Sequence, residues 1–292
     1  MNNKRRLFST LLCVAALTAG LFVSGCGSDK AGGIGSVVSS VVDGGSDEKA
    51  AAKLNTLIDA TNRFNGDNAT WGQNYADSLA KLKGGFQEGA IGRQPHYDTL
   101  KEALEQSKKE GSTFKEVDTE RDNVLNVLNE LVPPFKDLKA YDDSKAYMND
   151  GGAKGKELAA KYVAQVEKFD AAYAKFNDAL NKANTEQTKK QIEKLKKDGK
   201  KGYAAAMEST LRLTTLVENV EKAPRNADKQ AVEKELNEIQ TLLKSINNDR
   251  GEVLVNSYNS VVGSVRQVLN DANENNLNDM IENFNNYIES YN

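Results

Sequence analysis

Leu158, Tyr162, Val166, Phe169, Tyr173, Phe176 and Leu180 follow one another at steps of 4, 4, 3, 4, 3 and 4 residues, and no other feature limits the fold as tightly. Apolar side chains at three- and four-residue spacing share one face of an α-helix. Seven such positions in a row call for one long helix, and a long apolar stripe is buried only by helices lying alongside it. The chain is therefore expected to be all-α, an elongated antiparallel helical bundle.

The rest of the chain from Asp47 repeats the helical period. Leu54, Leu57, Ile58 and Phe64 mark a first helix, and Asn65-Gly66-Asp67-Asn68 reads as a turn or break after it. Trp71, Tyr75, Leu79 and Leu82 continue the pattern, and the glycines between Lys83 and Pro95 mark the longest loop. A short helix carries Tyr97, Leu100 and Leu104. The next carries Val124, Leu125, Val127, Leu128, Leu131 and Val132, and Pro133-Pro134 is expected to end or kink it, because neither residue offers a backbone N–H. Asn149, Asp150, Gly151 and Gly152 supply a turn and N-cap before the long helix. Later helices read as Tyr203 to Val220, Val232 to Ile246, Val253 to Leu269 and Leu277 to Tyr291. No sustained two-residue alternation signals a strand.

The N-terminus reads as an address. Lys4, Arg5 and Arg6 precede an apolar run from Leu7 to Val23, which Ser9, Thr10, Thr18 and Gly20 interrupt. That pattern is a secretory signal over residues 1–25 rather than a membrane span, which needs about 20 unbroken apolar residues. Val23-Ser24-Gly25-Cys26 resembles the bacterial lipobox, an aliphatic residue and two small ones before a cysteine. The resemblance implies that Cys26 carries lipid through a thioether and that cleavage makes it the first mature residue. Gly27 after it, by the enterobacterial sorting rule, points to the outer membrane. Residues 26–46 follow as a Gly- and Ser-rich tether, with a root-mean-square span of roughly 25 Å for about 20 residues. Ile34, Val37, Val38, Val41 and Val42 sit at helical spacing within it, so a short apolar helix on the membrane or the bundle is the alternative. Residues 47–292 are expected to form the helical bundle, as one elongated domain or two small ones.

Composition narrows the chemistry. The net charge of −3 becomes −6 once the signal is removed, which argues against nucleic acid as a partner. The only cysteines are Cys13, inside the signal, and Cys26, so the mature chain has no disulfide and rests on packing. His96 is the only histidine, beside Pro95 in the predicted loop, which removes Cys/His zinc sites and leaves no ready triad. No catalytic residue and no cofactor are assigned. Asp142 and Asp143, beside Tyr141 and Tyr147, are the only carboxylate pair worth naming for an enzyme, and turn residues explain them better.

Three further groups carry a sharper and a plainer reading. Asp271, Asn273, Asn275, Asp279 and Glu282 stand at positions 1, 3, 5, 9 and 12 of an EF-hand-like loop that would hold calcium. Position 6, where glycine is wanted, is Asn276, and helix capping is the preferred reading. Tyr162, Phe169, Tyr173 and Phe176 would line a groove for a small ligand if exposed, but at heptad spacing they read first as core. Lys189, Lys190, Lys194, Lys196, Lys197, Lys200 and Lys201 form the one basic cluster. Contact with anionic polymer or lipid headgroups is its sharper reading, and a solvated helix face the plainer one. Gly151, Gly152 and Gly155 match no phosphate-binding loop, since no strand precedes them.

The run KAYDDSKAYMNDGGAKGKELAAKYVAQVEKF, Lys139 to Phe169, resembles the YiiG-like bacterial lipoproteins, a family of unknown function. So do the Lys-Leu-Asn opening at Lys53–Asn55 and the pairs Tyr258-Asn259 and Tyr291-Asn292. Gly151-Gly152 departs from the aromatic-acidic step usual in that family. The resemblance implies a lipoprotein with a helical fold and no established catalytic residue. The expected function is a membrane-anchored envelope module that binds a protein or cell-wall partner, facing the periplasm. The alternative is a periplasmic small-ligand or calcium-binding lipoprotein.

Overall fold

The computed structural model describes residues 46–69, 72–92, 95–111, 114–246 and 249–291. The signal, the lipobox residues Val23, Ser24 and Gly25, Cys26, the tether to residue 45 and Trp71 lie outside the described residues. The described chain is all-α, with no strand among the described residues: α1 Ser46–Ala69, α2 Gly72–Lys83, α3 Tyr97–Lys109, α4 Lys115–Asp143, α5 Tyr147–Asp150, α6 Ala153–Lys197, α7 Lys201–Lys222, α8 Lys229–Lys244, α9 Asp249–Asn270 and α10 Glu274–Tyr291. None of these helices is long and apolar enough to cross a membrane. Two compact units are present, one gathering Lys53–Ala183 and the other Asn184–Asn292, and the boundary falls within α6.

In the first unit α4 and α6 run antiparallel. Glu116 pairs with Lys182, Glu130 with Lys168, and the Phe135 ring with the Tyr162 ring, so contacts advance on one helix as they retreat on the other. The apolar stripe of α6 faces inward, meeting Leu54, Ile58 and Phe64 of α1, Tyr97 and Leu104 of α3, and Val124 and Leu128 of α4 in one cluster. α3 folds back on α4 through Lys108–Asp122 and Asp98–Lys136.

Helices α7 to α10 form the second unit's bundle. Arg212 on α7 holds Glu235 on α8 through two N–H···O bonds of 2.7 Å. Arg266 on α9 holds Glu233 on α8 in the same bidentate way, at 2.8 and 2.7 Å. Planar guanidinium and carboxylate fix each other's orientation, so the two clamps set the register of three helices. Inside, the Tyr258 hydroxyl of α9 donates to the Leu236 carbonyl of α8, and with Arg266–Glu233 this makes α8 and α9 antiparallel. Thr210 and Tyr287 share a hydrogen bond of 3.0 Å between α7 and α10. The small side chains Ala204, Ala205 and Ala206 are buried on α7, where they take up little room between the helices.

Two expected breaks are absent. Asn65 does not end the first helix, which continues to Ala69. Asparagine favours turns when its side chain bonds its own backbone; here the buried Asn65 Oδ1 instead accepts the Tyr173 hydroxyl at 3.1 Å. Pro133 and Pro134 do not end α4 either. Each removes one helical bond, to the carbonyls of Asn129 and Glu130, and both of those residues are exposed, where the loss of a helical donor costs less than in the core. Buried Leu131, Val132, Leu138 and Tyr141 hold the helix to the core on either side.

The turn expected over 149–152 narrows to Gly151-Gly152, with Asn149 and Asp150 ending α5, and the expected N-cap is Asp150. The Tyr141 hydroxyl donates to Asp150 Oδ1 at 2.6 Å, while the same carboxylate accepts the N–H groups of Gly152 and Lys154 at 2.9 and 3.1 Å, capping the first turn of α6. These bonds, Tyr141's foremost, hold the Asp150 carboxyl below its usual range. Gly155 then lies directly under two rings: a Cβ there would sit 2.5 Å from Phe86 Cγ and 2.6 Å from Tyr141 Cε1. The rings themselves pack edge to face at 5.1 Å. Gly155→Ala is therefore expected to destabilise the protein by about 1–3 kcal/mol in urea unfolding, despite alanine's better helix propensity. A neutral or stabilising effect would show that the rings do not rest on the α6 backbone.

Candidate functional site

The aromatic residues named from the sequence do come together, but as core. Tyr162, Phe169, Tyr173 and Phe176 are 0, 3, 5 and 0% exposed. Phe64 packs edge to face on Phe169 and Tyr173 at 5.9 and 5.3 Å, Tyr97 on Phe169 at 5.1 Å, and Phe169 stacks on Tyr173 at 5.1 Å. A ligand groove is not what they line: the faces a ligand would need are covered by α1, α3 and α4. Ring geometries of this kind contribute about 0.5–1.5 kcal/mol per pair beyond area burial.

The seam contains a polar cluster that the sequence pattern does not single out. Tyr75 on α2 and Tyr97 on α3 share a hydrogen bond of 3.0 Å, and Tyr162 joins both hydroxyls. Burial keeps all three phenols protonated far above their usual range. Asp170 is half-buried one helical turn after Val166 of the stripe, and its charge acts on each of the three. Burial pushes the Asp170 carboxyl up to about 6, Lys83 pulling it back and Glu167 adding to the rise.

The other named residues are spread over the surface. Asp142 is half-buried and accepts the Gly89 N–H at 3.5 Å, and Asp143 is exposed and paired with Lys139 at 2.8 Å, so the two carboxylates have separate partners, a loop amide and a lysine one turn earlier. His96 is exposed at the head of α3. The EF-hand-like loop is not formed. α10 begins at Glu274, which puts Asn275, Asp279 and Glu282 on a helix and leaves Asp271 and Asn273 in the link before it. Asn273 Oδ1 accepts the Asn276 N–H at 2.9 Å and caps α10, while its amide donates to Asp271 Oδ2 at 2.6 Å. Among the described residues no group of three or more His, Cys, Asp or Glu side chains is placed to hold a metal ion.

The basic cluster spans the end of α6 and the start of α7. Lys189, Lys190 and Lys197 are exposed and Lys194 is half-buried, and together with Glu193 and Asp198 they border an open depression of about 470 Å³. Lys196 turns aside, to Glu208 on α7 at 2.9 Å.

A family model described as "Protein of unknown function (DUF3829)" matches residues 48–286, across both units. No curated protein and no solved structure matches the chain.

The raised Asp170 carboxyl has a measurable consequence. The folded state binds its proton more tightly than the unfolded chain, so this contribution to stability is complete below about pH 4 and is lost as pH rises through about 6. Asp170→Asn is expected to stabilise the protein by about 1–3 kcal/mol at pH 7.5, with the gain vanishing near pH 4. Urea unfolding of both proteins across that range checks it, and a gain independent of pH would remove Asp170 as the cause.

Proposed function

The chain belongs to the DUF3829 family, and from that premise we propose that it is a lipid-anchored protein of the bacterial envelope whose helical units act by binding rather than by chemistry. The single observation that carries the reading is Val23-Ser24-Gly25-Cys26 at the end of a basic-then-apolar segment. Acylation needs a thiol next to small residues, and Cys26 supplies it. Each buried CH2 of an attached chain contributes about 0.8 kcal/mol, so two chains hold the protein durably on a bilayer. The likeness of Lys139–Phe169 to the YiiG-like lipoproteins points the same way, and Gly27 favours the outer membrane, facing the periplasm.

The binding reading is supported by how the chemically able side chains are employed. The tyrosines of the seam bond one another, Asp150 caps α6, Asp143 pairs with Lys139 and Asn273 caps α10. What the units offer outward is helix surface, suited to an envelope protein or cell-wall partner. The acidic balance of the chain argues against nucleic acid, and no cofactor is part of the proposal.

Cys26→Ser tests the anchor. Cells given a labelled fatty acid are expected to acylate the parent protein and not the variant, which should accumulate as an uncleaved precursor. Equal labelling, or release of both forms by cleavage elsewhere, would overturn the proposal.

A further inference from the structure

We propose that the outer face of α6 between Lys189 and Lys197 docks onto the anionic phospholipid headgroups of the bilayer that holds the protein. The inference rests on the lipid-anchored reading and adds a second, electrostatic contact to it.

Residues 189–201 carry seven lysines against Glu193 and Asp198, a surplus of five positive charges in a chain whose total is −3. Positive charge is thus segregated into one short segment of an acidic protein. Within it the helix sorts residues by side. At about 100° per residue, buried Thr188, Ile192 and Leu195 centre on one side of α6, and Lys189, Lys190, Lys194 and Lys197 centre on the opposite side. The four ammonium groups therefore share an outward face about 12 Å long. None of the four has an ion-pair partner among the described residues. By contrast Lys139, Lys161, Lys168 and Lys182 are all paired with carboxylates.

The electrostatics continue round the corner at Gly199. Lys200 is the N-cap residue of α7 without a side-chain cap, Lys201 follows it, and no acidic residue occupies the first turn. Two lysines at the positive end of a helix dipole repel it, and an external anion relieves that repulsion.

The shape selects the occupant. The six residues bordering the depression lie in one stretch, α6 and the residue after it, so no second element closes it into a cleft around a small anion or a polymer strand. An open, one-helix face of splayed lysines matches a plane of phosphates, where the stems reach the interface and the ammonium groups meet the headgroups. A chain of about 20 residues between Cys26 and Ser46 spans at most about 70 Å, which bounds how far the start of α1 stands from the surface.

The test uses the mature chain, residues 26–292, with Cys26→Ser so that no acyl chain contributes. Sedimentation with phosphatidylcholine vesicles, with and without phosphatidylglycerol, gives the partition coefficient. Binding is expected only with phosphatidylglycerol and is expected to weaken steeply with salt. Each lysine near an anionic surface contributes about fivefold, so Lys→Gln at 189, 190, 194 and 197 together should lower binding by at least about tenfold. Lys→Gln at 139, 161, 168 and 182 makes the same change in net charge and is expected to leave binding within about twofold, because those lysines are already paired. All eight positions lie on helix surfaces, and circular dichroism checks that both variants fold. Absence of phosphatidylglycerol-dependent binding, or equal losses in the two variants, would overturn the inference. So would retention by a soluble polyanion without any response to vesicles. Fatty-acid labelling of Cys26 is read separately, so failure here and failure of the anchor are distinguishable.

Discussion

Rings stacked along one side of α6 are what the first unit is assembled on. With Cys13 and Cys26 the only thiols in the chain, no disulfide within residues 46–291 shares the load, and the seam must hold by packing. Phe169 and Tyr173 each meet Phe64 of α1, and Phe169 also meets Tyr97 of α3, so three helices are located by one set of contacts. The polar edges of the same rings are used as well. Tyr97 and Tyr162 meet Tyr75, and Tyr173 meets Asn65, so that burying the phenols does not leave their hydroxyls unpartnered.

Along α6 the balance between inward and outward work changes. Up to Ala183 its stripe is aromatic and is covered by the first unit; beyond Asn184 its buried side chains are smaller, Thr188, Ile192 and Leu195. On the outward side Lys154, Lys161, Lys168 and Lys182 are paired with carboxylates, whereas Lys189, Lys190, Lys194 and Lys197 have no ion pair among the described residues. The second unit adds clamps to its buried rings: Arg212 and Arg266 each grip a glutamate of α8 bidentately, and Tyr258 reaches the α8 backbone from α9. Both units bury aromatic side chains, Tyr162, Phe169, Tyr173 and Phe176 in the first and Tyr258, Phe284, Tyr287 and Tyr291 in the second, and the second adds oriented clamps between its helices.

The long helix is legible in the sequence because the 3–4 spacing of large apolar side chains has only one regular backbone that puts them on one face. The turn at Gly151-Gly152 and its Asp150 cap are legible for a related reason, since Asp before paired glycines is a local signal. The failures are equally physical. Asn65 reads as a breaker until Tyr173, far away in sequence, takes its side chain. Pro133 and Pro134 read as an end or a kink because sequence alone does not disclose that Asn129 and Glu130 lie on the exposed side while Leu131, Val132 and Leu138 hold the helix to the core, so that α4 continues through them. The tyrosine cluster is half legible: Tyr75, Tyr97 and Tyr162 each stand on an apolar stripe, but their hydroxyls meet only once three helices are in place. The run Ala-Lys-Gly-Lys-Glu-Leu is distinctive in sequence without disclosing its reason, which is the room Gly155 leaves for Phe86 and Tyr141.

Whether the aromatic seam is packed core or a ligand groove decides how the whole protein is understood, and Phe169→Ala measures it directly. A buried ring gripped by Phe64, Tyr97 and Tyr173 should cost about 3–5 kcal/mol in equilibrium unfolding when removed. A loss below about 1 kcal/mol would mean that the ring borders solvent or ligand space, and the core assignment would be wrong.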